Sequence, residues 1–368
     1  MAKKPIKIKR NNSISGKRRQ RNVVVKKVLS LIFAAGALFA IGFLGAPAVV
    51  EMANNMSKPK PQNTPSPTPV VTAPPVETQP TTNPSDIQID TTKEKFVYGL
   101  ADQSALYSED AFKAAVDTLK AKGVDNVVVT LKDQQGLVWF DTQTEIGQKA
   151  KSSTLADVKR LAEICEEKDV AFTVQLYVFQ DRITPTINRD TAVKYKGTDM
   201  NWLDSSKELG GKPWANPASS VMQEYIFALV KELVDMGAKD FIFSGVQLPT
   251  GYSLEMRDFG VSDAQLQAQL QGFINTLSSK VAAKGGEAYF VFDIKAISGA
   301  DVAKYIVAPQ RYGAENIVAA GTAEEFAANG ESAVAALGKD ENVERVVVWN
   351  TDGSAETDPK TDNGYFVK

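Results

Sequence analysis

Four short β-rich runs carry side chains that could do chemistry. They are Thr130 and Lys132 in 126–132, Gln175 and Tyr177 in 171–179, Ser244 and Gln247 in 240–247, and Asp293 and Lys295 in 287–295. If each run is a strand, alternate residues share a face, and the named groups collect on one side of a sheet. Hydroxyls, amides and a phenol can hold a polyhydroxylated ligand by hydrogen bonds. Cleaving a glycosidic bond ordinarily takes more, namely two carboxyl groups about 5–9.5 Å apart, one of them kept protonated. The only acid among these inward positions is Asp293, so a second would have to come from a loop: Asp133, Asp181, Asp258 or Asp352.

The catalytic candidates are therefore Asp293, Asp133 and Asp181, and each has a plainer use. Asp293 can neutralise Lys132 or Lys295 inside the domain. Asp133 and Asp181 each follow a strand and can accept backbone hydrogen bonds in a turn. Lys132 could form a Schiff base if desolvated, yet no acid–base pair stands beside it in the sequence. The expected ligand-binding set is Thr130, Lys132, Gln175, Tyr177, Trp202, Trp214, Ser244, Gln247 and Asp293. The two tryptophans lie with Tyr195 in the long segment 181–217, where they can either stack on a ligand or anchor the loop.

Composition narrows the chemistry further. The chain has no histidine, which excludes imidazole acid–base work, a Ser-His-Asp triad and histidine-ligated zinc. Asp204, Asp258 and Asp263 are scattered, so no calcium or magnesium site is expected, and no glycine-rich phosphate loop follows any strand. No cofactor and no metal are expected. Cys165 is the only cysteine; with Leu155, Val158, Leu161 and Ile164 on the same helical side, it reads as a packing residue.

The elements that must position these groups lie between Phe96 and the C-terminus. Strands are expected at 96–100, 126–132, 171–179, 240–247, 287–295, 316–320, 345–349 and 365–368. Helices are expected at 108–122, 154–168, 220–236, 262–283, 299–307 and 322–337. Eight strands alternating with helices over roughly 270 residues predict a (β/α)8 barrel of TIM type, with an open doubly wound sheet as the alternative. In such a barrel Phe241 and Phe243 face the helices, while Ile242, Ser244 and Val246 face inward.

The first ninety residues are of another kind. Residues 1–27 hold eleven Lys or Arg and no acid, and the next twenty-three, 28–50, carry no charge at all. A helix of that length spans roughly 30 Å, enough to cross a bilayer once, and the basic flank keeps the N-terminus cytoplasmic. Ala46-Pro47-Ala48 resembles a small-residue cleavage site, but a 27-residue basic leader fits an uncleaved anchor better. Nine of the seventeen prolines fall between Ser57 and Ser85, so this part of 51–93 reads as an extended, disordered linker reaching on the order of 80–90 Å. The expected organisation is thus 1–27 basic arm, 28–50 signal anchor, 51–93 Pro/Thr-rich linker and 94–368 barrel outside the cytoplasm. Beyond residue 27 the chain has 31 basic against 44 acidic residues, a net charge of about −13, which disfavours nucleic acid and anionic polymers as partners. The bilayer through 28–50 and a wall or surface polysaccharide are the expected partners; an envelope assembly factor acting through its helical exterior is a further possibility.

Several stretches together resemble the bacterial putative glycosyl hydrolase domain family, a barrel family of unknown function. Residues 126–136, ending Thr-Leu-Lys-Asp-Gln-Gln-Gly, are similar to its Asp-x-Lys-Asp-x-x-Gly strand. Residues 171–181, ending Val-Phe-Gln-Asp, are similar to its Ala-Arg-Ile-x-x-Phe-Lys-Asp strand. Trp214-Ala215-Asn216-Pro217 resembles its Trp-x-Asp/Asn-Pro turn, and 240–249 stands in the place of its Phe-Asp-Tyr-Ile-Arg-Phe-Pro strand. Order and spacing agree over about 120 residues, and more loosely to about residue 300. The resemblance implies a glycosidase-like barrel, but four charged positions of the pattern are neutral: Thr130 and Ser244 for Asp, Gln175 and Gln247 for Arg. The family's Pro-Met-x-Tyr-Pro stretch has no counterpart in 316–322. The implied function is a membrane-anchored, catalytically degenerate binder of envelope glycan or protein; the alternative is an active hydrolase with loop-borne carboxylates.

Overall fold

Hydrophobic alternation divides each strand between two layers. In Asn126–Lys132, Val127, Val129 and Leu131 join the large cluster beneath the helices, whereas Val128 joins a small separate cluster with Tyr98, Ile242, Tyr289, Val318 and Val347. Those six residues come from six strands, and they meet only if the sheet closes on itself. The computed structural model describes residues 96–352 and 364–367 and shows that closure. The expected basic arm, membrane span and linker lie outside the described residues; within them no helix is long and apolar enough to cross a membrane.

The barrel strands are β1 (Phe96–Leu100), β2 (Asn126–Lys132), β3 (Ala171–Tyr177), β4 (Asp240–Ser244), β5 (Ala288–Asp293), β6 (Asn316–Gly321), β7 (Arg345–Asn350) and β8 (Gly364–Val367). Each pairs in parallel with the next, and β8 pairs in parallel with β1, with Phe96 opposite Gly364. This is the closed eight-stranded parallel barrel of the TIM type. Phe241 and Phe243 face outward and Ile242 inward.

Among the described residues, five helices of ten residues or more pack outside: α1 (Glu109–Ala121), α2 (Val158–Glu167), α3 (Ser220–Asp235), α4 (Asp263–Ala282) and α5 (Ala323–Leu337). Their starts are set locally. The hydroxyls of Ser262 and Thr322 accept the N–H of Gln265 and Glu325, whose side chains reach back to the cap backbone.

Three departures from the expected elements bear on the site. The helix expected over 154–168 begins at Val158, after Asp157 caps it; Lys151–Ala156 is instead a strand beside Val138–Phe140, which extends the sheet at the end of β2. The strand expected over 240–247 stops at Ser244 because Gly245 takes φ +66°, which strand geometry does not allow. The helix expected over 299–307 does not form. A single turn, Ile294–Ile297, follows β5 directly, Gly299 at φ +83° ends it, and the chain beyond is tied to the loop after β4 by Leu248 N–H donating to the Lys304 carbonyl.

Candidate functional site

In TIM-type barrels chemistry collects where the strands end, so the residues of interest are those at the C-terminal ends of β1–β8. On β2, β3 and β4 the inward side chains form one hydrogen-bonded chain. Thr130 Oγ1 donates to Gln175 Oε1 at 2.7 Å, and Gln175 Nε2 donates to Ser244 Oγ at 2.9 Å. Register makes this possible, since Thr130 lies opposite Gln175 and Gln175 opposite Ile242, one step below Ser244. Gln175 and Ser244 are each only 2% exposed, whereas Thr130 is half-buried and reaches the surface of the mouth. The chain carries no charge. It can donate and accept hydrogen bonds but cannot protonate a leaving group.

Lys132 departs from its expected place. A bulge between Thr130 and Lys132 sets Lys132 opposite Leu176, an outward residue, so it faces the helices rather than the cavity. There it is fully buried, donates to the Tyr177 carbonyl at 2.8 Å and pairs with Asp181 at 2.7 Å. Asp181 is fully buried as well. It accepts the N–H groups of Ile183 and Thr184 and the Thr184 hydroxyl, and so starts the turn Thr184–Ile187. Gly136 lies against it: a Cβ there would come within 2.1 Å of Asp181 Oδ1, and φ is +97°. The glycine of the Lys-Asp-Gln-Gln-Gly stretch thus makes room for the buried carboxylate of the next loop.

Asp133 closes its own turn, with Oδ1 accepting the N–H of Gln135 and Leu137 and Oδ2 accepting Trp139 Nε1 at 3.2 Å. Tyr107, whose ring is 5.9 Å from that of Trp139, and Tyr177 both feel its charge. Burial first, then Asp133, raises the Tyr177 hydroxyl above its ordinary pKa; the same two causes raise Tyr107, against a lowering hydrogen bond from Gln103.

Asp293 ends β5 on the inward side, but its partner is neither Lys132 nor Lys295. Lys304, from the loop that follows the same strand, donates to its Oδ2 at 2.6 Å; Lys295, in the Ile294–Ile297 turn, pairs with Glu325 at 2.6 Å. The Asp293 side chain keeps 39% of its surface exposed. Asp258 accepts Gly260 N–H, and Asp352 accepts Ala323 N–H. Gln247 sits half-buried in the loop past the end of β4. No group of three or more metal-ligating side chains occurs among the described residues.

Both expected tryptophans are closed to a ligand. Trp202 is fully buried with its Nε1 donating to the Ser253 carbonyl, and Trp214 is 3% exposed with its Nε1 donating to Asp204 Oδ2. With Val193 they form the core of a small excursion, where Lys194–Tyr195 pairs antiparallel with Arg257–Asp258 from the next loop. A loop of that length needs its own apolar core, and the two indoles supply it.

Sequence reasoning passed over one aromatic residue on the inward face near a strand end. Trp349 follows Val347 by two residues on β7, which puts it on the inward face, and it is half-buried. Its ring stacks on Phe366 of β8 at 4.8 Å, and Phe366 stacks on Tyr98 at 5.3 Å. Alternation along β7 was the available signal.

A family model described as a putative glycosyl hydrolase domain matches residues 101–302, a little over half of the chain. No curated protein matches it. Among solved structures, a hypothetical protein from Ruminiclostridium thermocellum ATCC 27405 is 17% identical at a TM-score of 0.44, over 53% of this chain and 96% of its own. A GH20 exo-β-N-acetylglucosaminidase from Vibrio harveyi is 12% identical at 0.46, over 71% of this chain and 42% of its own. A β-N-acetylhexosaminidase from Bacteroides fragilis NCTC 9343 is 10% identical at 0.46, over 70% and 50%.

Proposed function

We propose, from the premise that this chain belongs to the putative glycosyl hydrolase domain family, that it is a glycan-binding member that does not hydrolyse. In this reading the 28–50 segment tethers it to the membrane, and the barrel works outside the cytoplasm. The observation that carries the reading is the Thr130–Gln175–Ser244 chain. Where the family pattern has Asp, Arg and Asp, three neutral groups satisfy one another. Two of the candidate acids serve elsewhere, Asp181 in a buried ion pair and Asp133 in its turn. Hydrolysis by the ordinary route needs two free carboxyl groups about 5–9.5 Å apart.

The second reading, an active hydrolase with loop-borne acids, is favoured by one feature: Asp293 stands at the inward end of β5 and is partly open to solvent. One experiment separates the two. The full chain, held in detergent micelles, is offered wall and surface polysaccharides while bound ligand and released reducing ends are both measured. Binding without release is expected. Release that disappears in Asp293→Asn overturns the reading in favour of the second.

A further inference from the structure

Where the neighbouring strands β1, β2 and β3 end, three aromatic side chains share one carboxylate. The short helical turn Gln103–Tyr107 follows β1, and Tyr107 ends it half-buried. Val138–Phe140 folds back antiparallel on β2. Val138 and Phe140 enter the cluster beneath the helices, so alternation turns Trp139 to the other face, where it too is half-buried. Tyr177 is the last residue of β3 and is likewise half-buried. Asp133, one residue past β2, is common to all three: it accepts Trp139 Nε1, and burial followed by its charge raises the Tyr177 and Tyr107 hydroxyls.

Two features, one of geometry and one of charge, point to a ligand. The Tyr107 and Trp139 rings stand 5.9 Å apart at 35°, side by side as a shelf. Both polar tips are tied at the edge, Trp139 Nε1 to Asp133 Oδ2 at 3.2 Å and the Tyr107 hydroxyl to Gln103 Nε2 at 2.9 Å, so the rings are set before anything binds. The second feature is the charge on Asp133. Asp181 is neutralised by Lys132 and Asp293 by Lys304, whereas Asp133 accepts only the N–H groups of Gln135, Leu137 and Trp139, and no cation pairs with it among the described residues. A carboxylate has about four acceptor positions, so about one on Oδ2 remains open.

The two features together select the ligand. A neutral sugar uses the shelf and leaves the charge uncompensated; a small ammonium ion uses the charge and little of the shelf. A pyranose with a free ammonium group uses both, its C–H face on the indole and its cation on the carboxylate beside the rings. Beyond residue 27 the chain carries about −13, which draws a cationic glycan and repels an anionic one. We propose that the Tyr107–Trp139 shelf binds a sugar ring bearing an unsubstituted amino group, with its ammonium donating to Asp133 Oδ2. The proposal rests on the glycan-binding reading and deepens it, because it names the ligand class and places it at the ends of β1, β2 and β3.

The test uses the full chain in micelles, by calorimetry and tryptophan fluorescence. The probes are the β-1,4-glucosamine tetraose, its N-acetylated form chitotetraose, tetragalacturonate and tetramethylammonium. The glucosamine tetraose should shift the fluorescence and bind about tenfold more tightly than chitotetraose, which has the same rings without the charge. Tetragalacturonate should not bind. Asp133→Asn should bring the two glucosamine-based tetraoses within about threefold of each other, and Trp139→Ala should weaken both by about tenfold. Trp139→Phe should keep binding within about threefold while losing the fluorescence shift. If Asp133→Asn or Trp139→Ala does not fold, Trp139→Phe and a loss of about fivefold in Tyr107→Ala decide. Tetraose binding undiminished in a folded Trp139→Ala, with its selectivity unchanged in Asp133→Asn, overturns this site and leaves the glycan reading standing. Chitotetraose binding as tightly as the glucosamine tetraose overturns the amino-sugar class, and tetramethylammonium binding as tightly overturns the sugar. No tetraose bound by the wild-type chain overturns the proposal, and the glycan reading falls with it if the wall and surface polysaccharides also go unbound.

Discussion

Lys132 and Asp181 offer the sharpest test of whether the acids near the mouth serve structure or chemistry. Their charges sit 2.7 Å apart with neither side chain exposed. Removing one partner leaves the other charged and buried, which costs about 3–5 kcal/mol in comparable pairs. Lys132→Met strands a carboxylate that still accepts three hydrogen bonds from residues 183 and 184, so its loss should fall toward 3 kcal/mol. Asp181→Asn leaves a buried ammonium with only neutral acceptors, the Tyr177 carbonyl and the new amide oxygen, and no counter-charge, so its loss should approach about 5 kcal/mol. For a domain of this size the two values correspond to falls in Tm of roughly 6–20 °C. The double variant Lys132→Met/Asp181→Asn removes both charges and should lose less than the two single losses combined, with a coupling of about 2 kcal/mol or more. Urea unfolding of the full chain followed by far-UV circular dichroism measures all four corners of the cycle. Single losses under about 1 kcal/mol, or additive losses, would refute the reasoning and return Asp181 to the list of acids free for catalysis.

Restoring the family's charge gives a second test. Ser244→Asp places a carboxyl in a site 2% exposed that faces the neutral Gln175 amide, and should cost about 3–4 kcal/mol at pH 7. Burial raises its pKa in the folded chain, so the unfolded chain gives up its proton first. Stability should therefore fall as pH rises from about 4, and adding Gln175→Arg should recover part of the loss. A pH-independent loss would contradict this. Cys165, whose thiol burial pushes up to about 12, should resist a thiol reagent at pH 8 in the native chain and react once urea unfolds it; prompt native reaction would show the site to be open. For the tether, a reporter enzyme active only outside the cytoplasm, fused after Ser85, should be active in cells and lose activity when 28–50 is deleted.

Much of the fold was legible in the sequence. Six of the eight strand starts coincide with those expected, because alternation and the Gly or Pro that interrupts it are properties of neighbouring residues. The outward Phe241 and Phe243 and the buried Cys165 followed from the same period. Expectations weakened where a local pattern had two uses. Residues 299–307 have helical composition, yet they run as a loop from which Lys304 pairs with Asp293. The tryptophans of the long loop fit a ligand platform as well as a small core, and the burial of Trp202 decides for the core.

The sequence by itself determined that the barrel's chemistry would be uncharged at Thr130, Gln175 and Ser244, since residue type at an inward strand position needs no coordinates to read. Only the tertiary structure decided who meets whom. One extra residue in β2 sends Lys132 to Asp181 on the helix side, and closure of β8 on β1 brings Phe366 between Trp349 and Tyr98. Register and closure depend on pairings between residues far apart in the chain, and a shift of a single residue reverses which face a side chain takes.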